Sequence, residues 1–244
     1  MNRWLLLLLW LTACVGPQRK SRAVAKADLG GAYIVEGNPE AAIEVLQQAV
    51  ELDRRNWIAW NKLAIAYQSR GAPEEAHKAF QQALRIAPDK AEVLNNYGLL
   101  LLSEGSIDEA IENFELARQD LVYRKPAWVL NNLGYALMLD GQHAVALGHL
   151  DEAVRRAPHL CQARFHRGLV HQELDNRDQA LSDLEAVIHM CGDEAPGAYF
   201  HAGVLLQEQG DVEAAEHYLR TVIREAPGSE LSREAAARLE NRAP

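Results

Sequence analysis

Small and apolar residues return along the chain on a beat of thirty-four positions. The phrase VLNNYG at Val93–Gly98 comes back as VLNNLG at Val129–Gly134, and the residues around it keep the same spacing. Six units frame the pattern: residues 23–56, 57–90, 91–124, 127–160, 161–194 and 196–229. In the second, Trp60, Leu63, Ala64, Tyr67, Gly71, Ala76, Phe80, Ala83 and Pro88 stand at relative positions 4, 7, 8, 11, 15, 20, 24, 27 and 32. The fifth unit keeps Gly168, Ala180 and Leu184 but sets Arg164, Arg167 and Asp175 at positions 4, 7 and 15. Two helices per unit follow from this spacing. Small residues at positions 8, 20 and 27 let helices approach closely, and a glycine near position 15 takes the positive φ that ends the first helix. Asn38-Pro39 reads as an N-cap and first-turn proline, and Ser106 with Glu109 reads as a capping box. Residues 230–240 have helical spacing and would cap the open end.

The quoted positions resemble the tetratricopeptide repeat, W-x2-L-G-x2-Y followed by A-x3-F, then A and P. The resemblance implies an all-α fold: an α-solenoid superhelix of six helix-turn-helix repeats with a C-terminal capping helix in residues 230–244. In such arrays, positions 2, 5, 9, 12 and 13 of each first helix line a concave groove. That implies an amide column of Asn61, Asn95 and Asn131 at position 5, able to bond the backbone of a peptide laid in the groove. It also implies an apolar inner stripe of Ile34, Val35, Ile58, Ile65, Leu99 and Leu102, with Trp128 as an exposed anchor at position 2. Gln172, Glu173, Gln207 and Glu208 hold positions 12 and 13 of the last two units, so the groove is expected to turn polar toward its end.

Composition narrows the function. Of 244 residues, 48% are hydrophobic and 7% aromatic, and the formal charge is −9, which becomes −10 without the Arg3-bearing first thirteen residues. Scattered rather than clustered Lys and Arg on a net-acidic chain argue against nucleic acid as a partner. There is no H-E-x-x-H, G-x-x-x-x-G-K-[ST], G-x-S-x-G or C-x-x-C, so no enzyme, metal site or cofactor is expected. His166 and His171 lie five apart and share no helix face, and His171, at position 11, reads as core.

MNRWLLLLLWLTAC has the build of a secretory leader, with Arg3 before an apolar run from Trp4 to Leu11 that is too short to span a bilayer. Leu11-Thr12-Ala13-Cys14 resembles the bacterial lipobox, which implies that residues 1–13 are removed and that Cys14 carries a covalent lipid. Val15, where an aspartate would signal retention, implies outer-membrane delivery facing the periplasm. A short basic linker is expected over residues 14–22. In an exported protein the remaining cysteines favour a disulfide. Cys161 at position 1 and Cys191 at position 31 sit side by side in an antiparallel hairpin.

NNYG, a long second helix ending ARQDLVYRKP, and then NNLG closely resemble the pilotin lipoproteins of type IV pilus systems, the PilF, PilW and Tgl group. The matching junction residues are Ala117, Tyr123 and Pro126. The resemblance implies a secretin subunit as partner and secretin localisation and assembly in the outer membrane as the function. The same anchor and repeats would also serve an adaptor that scaffolds peptidoglycan enzymes or other envelope machinery.

Overall fold

A computed structural model of the chain describes residues 3–119, 125–192 and 195–240, with side chains from residue 16 onward. The chain divides between Tyr123 and Arg124 into two units. The first holds α1 (Arg3–Val35), α2 (Pro39–Leu52), α3 (Trp57–Ser69), α4 (Pro73–Ile86), α5 (Ala91–Ser103) and α6 (Ile107–Arg118). The second holds α7 (Pro126–Leu139), α8 (His143–Arg156), α9 (Cys161–Glu173), α10 (Arg177–Cys191), α11 (Pro196–Gln209), α12 (Val212–Glu225) and α13 (Glu230–Glu240). Among the described residues there is no strand, and no helix is long and apolar enough to cross a membrane.

Each hairpin closes on one contact. The side chain at position 24 of the second helix is fully buried in every repeat: Leu46, Phe80, Phe114, Leu150, Leu184 and Leu219. It presses against position 8 of the first helix, which is glycine in five repeats and Ala64 in the other. A Cβ on Gly98 would stand 2.6 Å from Phe114 Cε1, and one on Gly134 would stand 2.6 Å from Leu150 Cγ. The alanines at position 20, from Ala42 to Ala215, are likewise fully buried. Burying each large side chain is worth about 1.5–3 kcal/mol, so six such plugs form the spine of the core.

The turns are built alike. Gly37, Gly71, Gly105, Gly141 and Gly210 take positive φ at position 15, and Asp175 does the same at φ 58° in the fifth repeat. The next amide then donates back across the turn, as Asn38 does to the Tyr33 carbonyl at 2.9 Å and Asn176 to that of His171 at 2.8 Å. Asn38 Oδ1 accepts from Ala41 N at 3.2 Å, the expected cap. The Ser106 capping box does not form, because the Ser106 side chain makes no cap bond. That turn is held by backbone instead, with Ser106 N donating to Leu101 O at 2.9 Å.

Two local features add to this. The stretch expected as a short basic linker is helical over residues 17–22, since α1 runs unbroken through Pro17 to Val35. The poor match of the fifth repeat has a cause: Arg167, at position 7 where three other repeats place leucine, grips buried Asp183 through Nε and Nη2, both at 2.7 Å. Its Nη1 also reaches Asp151 at 2.9 Å, so α8, α9 and α10 meet at one ion cluster rather than an apolar layer.

The plug contact predicts opposite outcomes for two glycines on neighbouring helices. Gly134→Ala should cost about 1–3 kcal/mol by overpacking, whereas Gly148→Ala, with nothing within 4 Å, should add about 0.5–1 kcal/mol. Urea denaturation of both variants checks the pair.

Candidate inner-face binding groove

Within each unit, position 5 of one first helix faces position 6 of the next, and this decides what Asn61 and Asn131 do. In the first unit Asn61 is 1% exposed. Its Nδ2 donates to Glu92 Oε1 and its Oδ1 accepts from Asn96 Nδ2, both at 3.3 Å. Asn95 is buried as well and donates to Asn96 Oδ1 at 3.4 Å. In the second unit Asn131 donates to Asn132 Oδ1 at 3.0 Å and meets His166 Nδ1 at 2.9 Å. Lys62 makes the corresponding joint at the first interface, donating to Ala27 O at 3.1 Å and Asp28 Oδ1 at 3.2 Å. The amides of Asn61, Asn95 and Asn131 are therefore engaged within the array. Burial obliges each to find a partner: Asn61 and Asn131 bond the next first helix, and Asn95 bonds its neighbour Asn96.

The apolar stripe is only partly open. Val35 is 88% exposed, Ile58 42% and Leu99 38%. Ile34 and Ile65 are half-buried against the cores formed around Leu46 and Phe80, and Leu102 is half-buried too. Ile34 is thus a packing residue as much as a surface one, because α1 turns it toward α2. Trp128 on α7 is exposed. The second unit is not purely polar within: Met138, Leu139 and Leu169 join Gln172, Glu173 and His201 around a cleft of about 410 Å³.

A larger cleft, about 770 Å³, lies in the first unit between α2 and α4. Trp60 and Tyr67 form its floor, with Trp60 Nε1 donating to Arg54 O at 3.1 Å and Tyr67 Oη accepting from Gln47 Nε2 at 2.9 Å. Trp60, at position 4, is half-buried. The only available signal was that both aromatics carry a polar tip, which asks for an edge position.

Cys161 and Cys191 are joined by a disulfide across the α9–α10 hairpin, with Cα atoms 6.7 Å apart. Closing thirty residues is worth about 3–4 kcal/mol on the chain-entropy estimate. The side chain of Cys14 and the junction residue Tyr123 lie outside the described residues, while Ala117 is buried in α6 and Pro126 opens α7.

His166 stacks on Tyr135 with ring centroids 4.4 Å apart, and burial pushes its pKa from 6.5 down to about 4. Burial also lowers His201 and His171. Above pH 6.5 His166 is neutral in both folded and unfolded chains. Between 6.5 and about 4 the unfolded chain takes a proton that the folded one refuses, so stability falls as pH falls through that window.

These repeats define a scaffold of paired helices, and the chain belongs to the tetratricopeptide repeat family, whose profiles match residues 33–97, 91–117, 127–158 and 165–230. That fold is typically a protein-interaction scaffold. No curated protein matches the sequence. Among solved structures, the chain is similar to PilF of Pseudomonas aeruginosa, at 24% identity and TM-score 0.78, over 91% of this chain and 99% of that one. It is similar to PilW, a widely conserved type IV pilus biogenesis factor, at 23% identity and TM-score 0.79, over 88% and 98%. The Cut9–Hcn1 hetero-tetramer of the APC/C also matches, at 16% identity and TM-score 0.79, over 89% of this chain and 42% of that one.

The ladder yields a pH prediction. His166→Asn places at this position the residue that Asn96 and Asn132 supply in the third and fourth repeats. It should flatten the stability loss between pH 6.5 and about 4 by about 2–3 kcal/mol relative to the wild type. Denaturant titrations at the two pH values measure the difference.

Proposed function

We propose that the protein is a pilotin: an outer-membrane lipoprotein, acylated at Cys14 and facing the periplasm, that binds a type IV pilus secretin and promotes its assembly. The observation that carries this reading is end-to-end correspondence. The chain spans 99% of PilF and 98% of PilW, against 42% of the Cut9–Hcn1 match with an equal TM-score. Shared repeats alone would fit any scaffold; a shared extent of six repeats, preceded by Leu11-Thr12-Ala13-Cys14 and with Ala117 and Pro126 at the third junction, narrows the role.

The secretin contact in this account is the inner face of the first unit, where Val35, Ile58 and Leu99 leave apolar surface open. Such a strip suits an amphipathic segment of a secretin subunit. The asparagines beside it stiffen the strip rather than read the ligand. A lipid at Cys14, on the same helix as Val35, would hold the bound subunit near the membrane and raise its effective concentration there.

Val35→Asp with Ile58→Asp touches exposed side chains, so it should leave helicity and melting nearly unchanged while reducing secretin rings, counted by electron microscopy of membranes, at least about tenfold. Cys14→Ala should abolish incorporation of labelled fatty acid. Normal ring numbers in the double variant would remove the first unit's inner face as the secretin site.

A further inference from the structure

We propose that the outward face of α1 docks on an anionic phospholipid surface. The helix has two distinct sides. Ala23, Ala27 and Gly30 are buried, while Arg22, Ala25, Leu29 and Ala32, spaced three, four and three residues apart, form one exposed stripe. Leu29 is 45% exposed although the equivalent Leu63 and Leu133 of later repeats are buried. Around Leu63 the preceding α1–α2 hairpin supplies the cover, through Ala27, Leu46 and Val50. Here α2 and α3 pack against α1 and leave that side open.

Charge identifies the occupant. Between residues 16 and 27 the only charged side chains are Arg19, Lys20, Arg22 and Lys26, in a chain of formal charge −9. Residues 16–22 are exposed on every side, and Arg19, Lys20 and Arg22 form no ion pair among the described residues. Glu51 and Asp53 share a shallow cleft with Arg19 and Lys20 and leave Arg22 clear, and Asp28 is engaged by Lys62 Nζ at 3.2 Å. A basic helix with a narrow apolar stripe matches the boundary between negative headgroups and acyl chains. It does not suit an apolar protein groove, which would bury the guanidinium groups without partners. The first unit would then lie with α1 against the bilayer and with α2 and α3 behind it.

This docking is independent of the secretin. It adds to the proposed anchor a second, electrostatic attachment of the kind that turns a lipid tether into a fixed orientation. The test is hydrogen exchange by mass spectrometry on the full chain held on two vesicle types, neutral phosphatidylcholine and phosphatidylcholine with about 30% phosphatidylglycerol. Leader and anchor are the same on both, so any difference reports headgroup charge. Amides of residues 18–29 should exchange about threefold or more slowly on the anionic vesicles, with the effect lost at about 1 M salt. The Arg19→Glu, Lys20→Glu, Arg22→Glu variant should lose that difference while α7–α12 exchange as before. Equal exchange on both vesicles would overturn the proposal. So would protection that survives in the triple variant, or equal protection by inorganic phosphate without vesicles.

Discussion

A large side chain seated on a residue with little or no side chain is the contact on which the rest of this protein depends. Position 24 of each second helix, Phe114 or Leu150 for instance, reaches the backbone of the facing first helix because position 8 leaves room for it. Without that seat the helices of a hairpin would be held apart by at least a methyl group, and the small residues at positions 20 and 27 would have nothing to fit against. Glycine inside a helix costs about 0.5–1 kcal/mol relative to alanine, a cost the buried plug offsets. The open, left-handed turn at position 15 then brings the second helix back at the right distance.

Hairpins made this way still have to be joined, and the joints are polar. Lys62 to Ala27, Asn61 to Asn96 and Asn131 to His166 repeat one motif within the two units, position 6 meeting position 5 of the preceding first helix, while His201 reaches Gln172 at position 12 instead, at 3.2 Å. Each is partly or wholly buried, so a wrong register would leave a donor or acceptor unpaired, at about 1–3 kcal/mol. Polar joints thus specify which helix neighbours which, while apolar plugs supply the stability. Asn61 and Asn131 are thus occupied inside the array, while Val35, Ile58 and Leu99 beside them stand exposed.

Local features were legible in the sequence because they depend on neighbours within one hairpin. Gly98 and Gly134, the positive φ of Gly71 and the Asn38 cap all follow from chemistry inside a few turns. The bonds of Asn61 and Asn131 were not legible because Asn96 and His166 lie thirty-five residues away, and only the packed array shows position 5 facing position 6. Arg167 looked like a defect for the same reason, since its partners Asp151 and Asp183 stand on other helices, sixteen residues to either side. Ser106 met the pattern of a capping box, yet its own N–H, the donor Glu109 would have taken, is already given to the Leu101 carbonyl. Exposure was the hardest quantity to read: Ile34 and Val35 are adjacent, and one packs while the other stands in solvent.

The account stands or falls on what touches the inner face of the first unit in the cell. A photo-crosslinking amino acid at Ile58, on that face, and another at Leu116, exposed on α6, make the comparison inside one molecule. The account predicts a covalent adduct between the secretin subunit and the Ile58 position, lost when Val35→Asp is added, and little or none from Leu116. Secretin adducts of equal yield from both positions, or adducts from Leu116 alone, would contradict it.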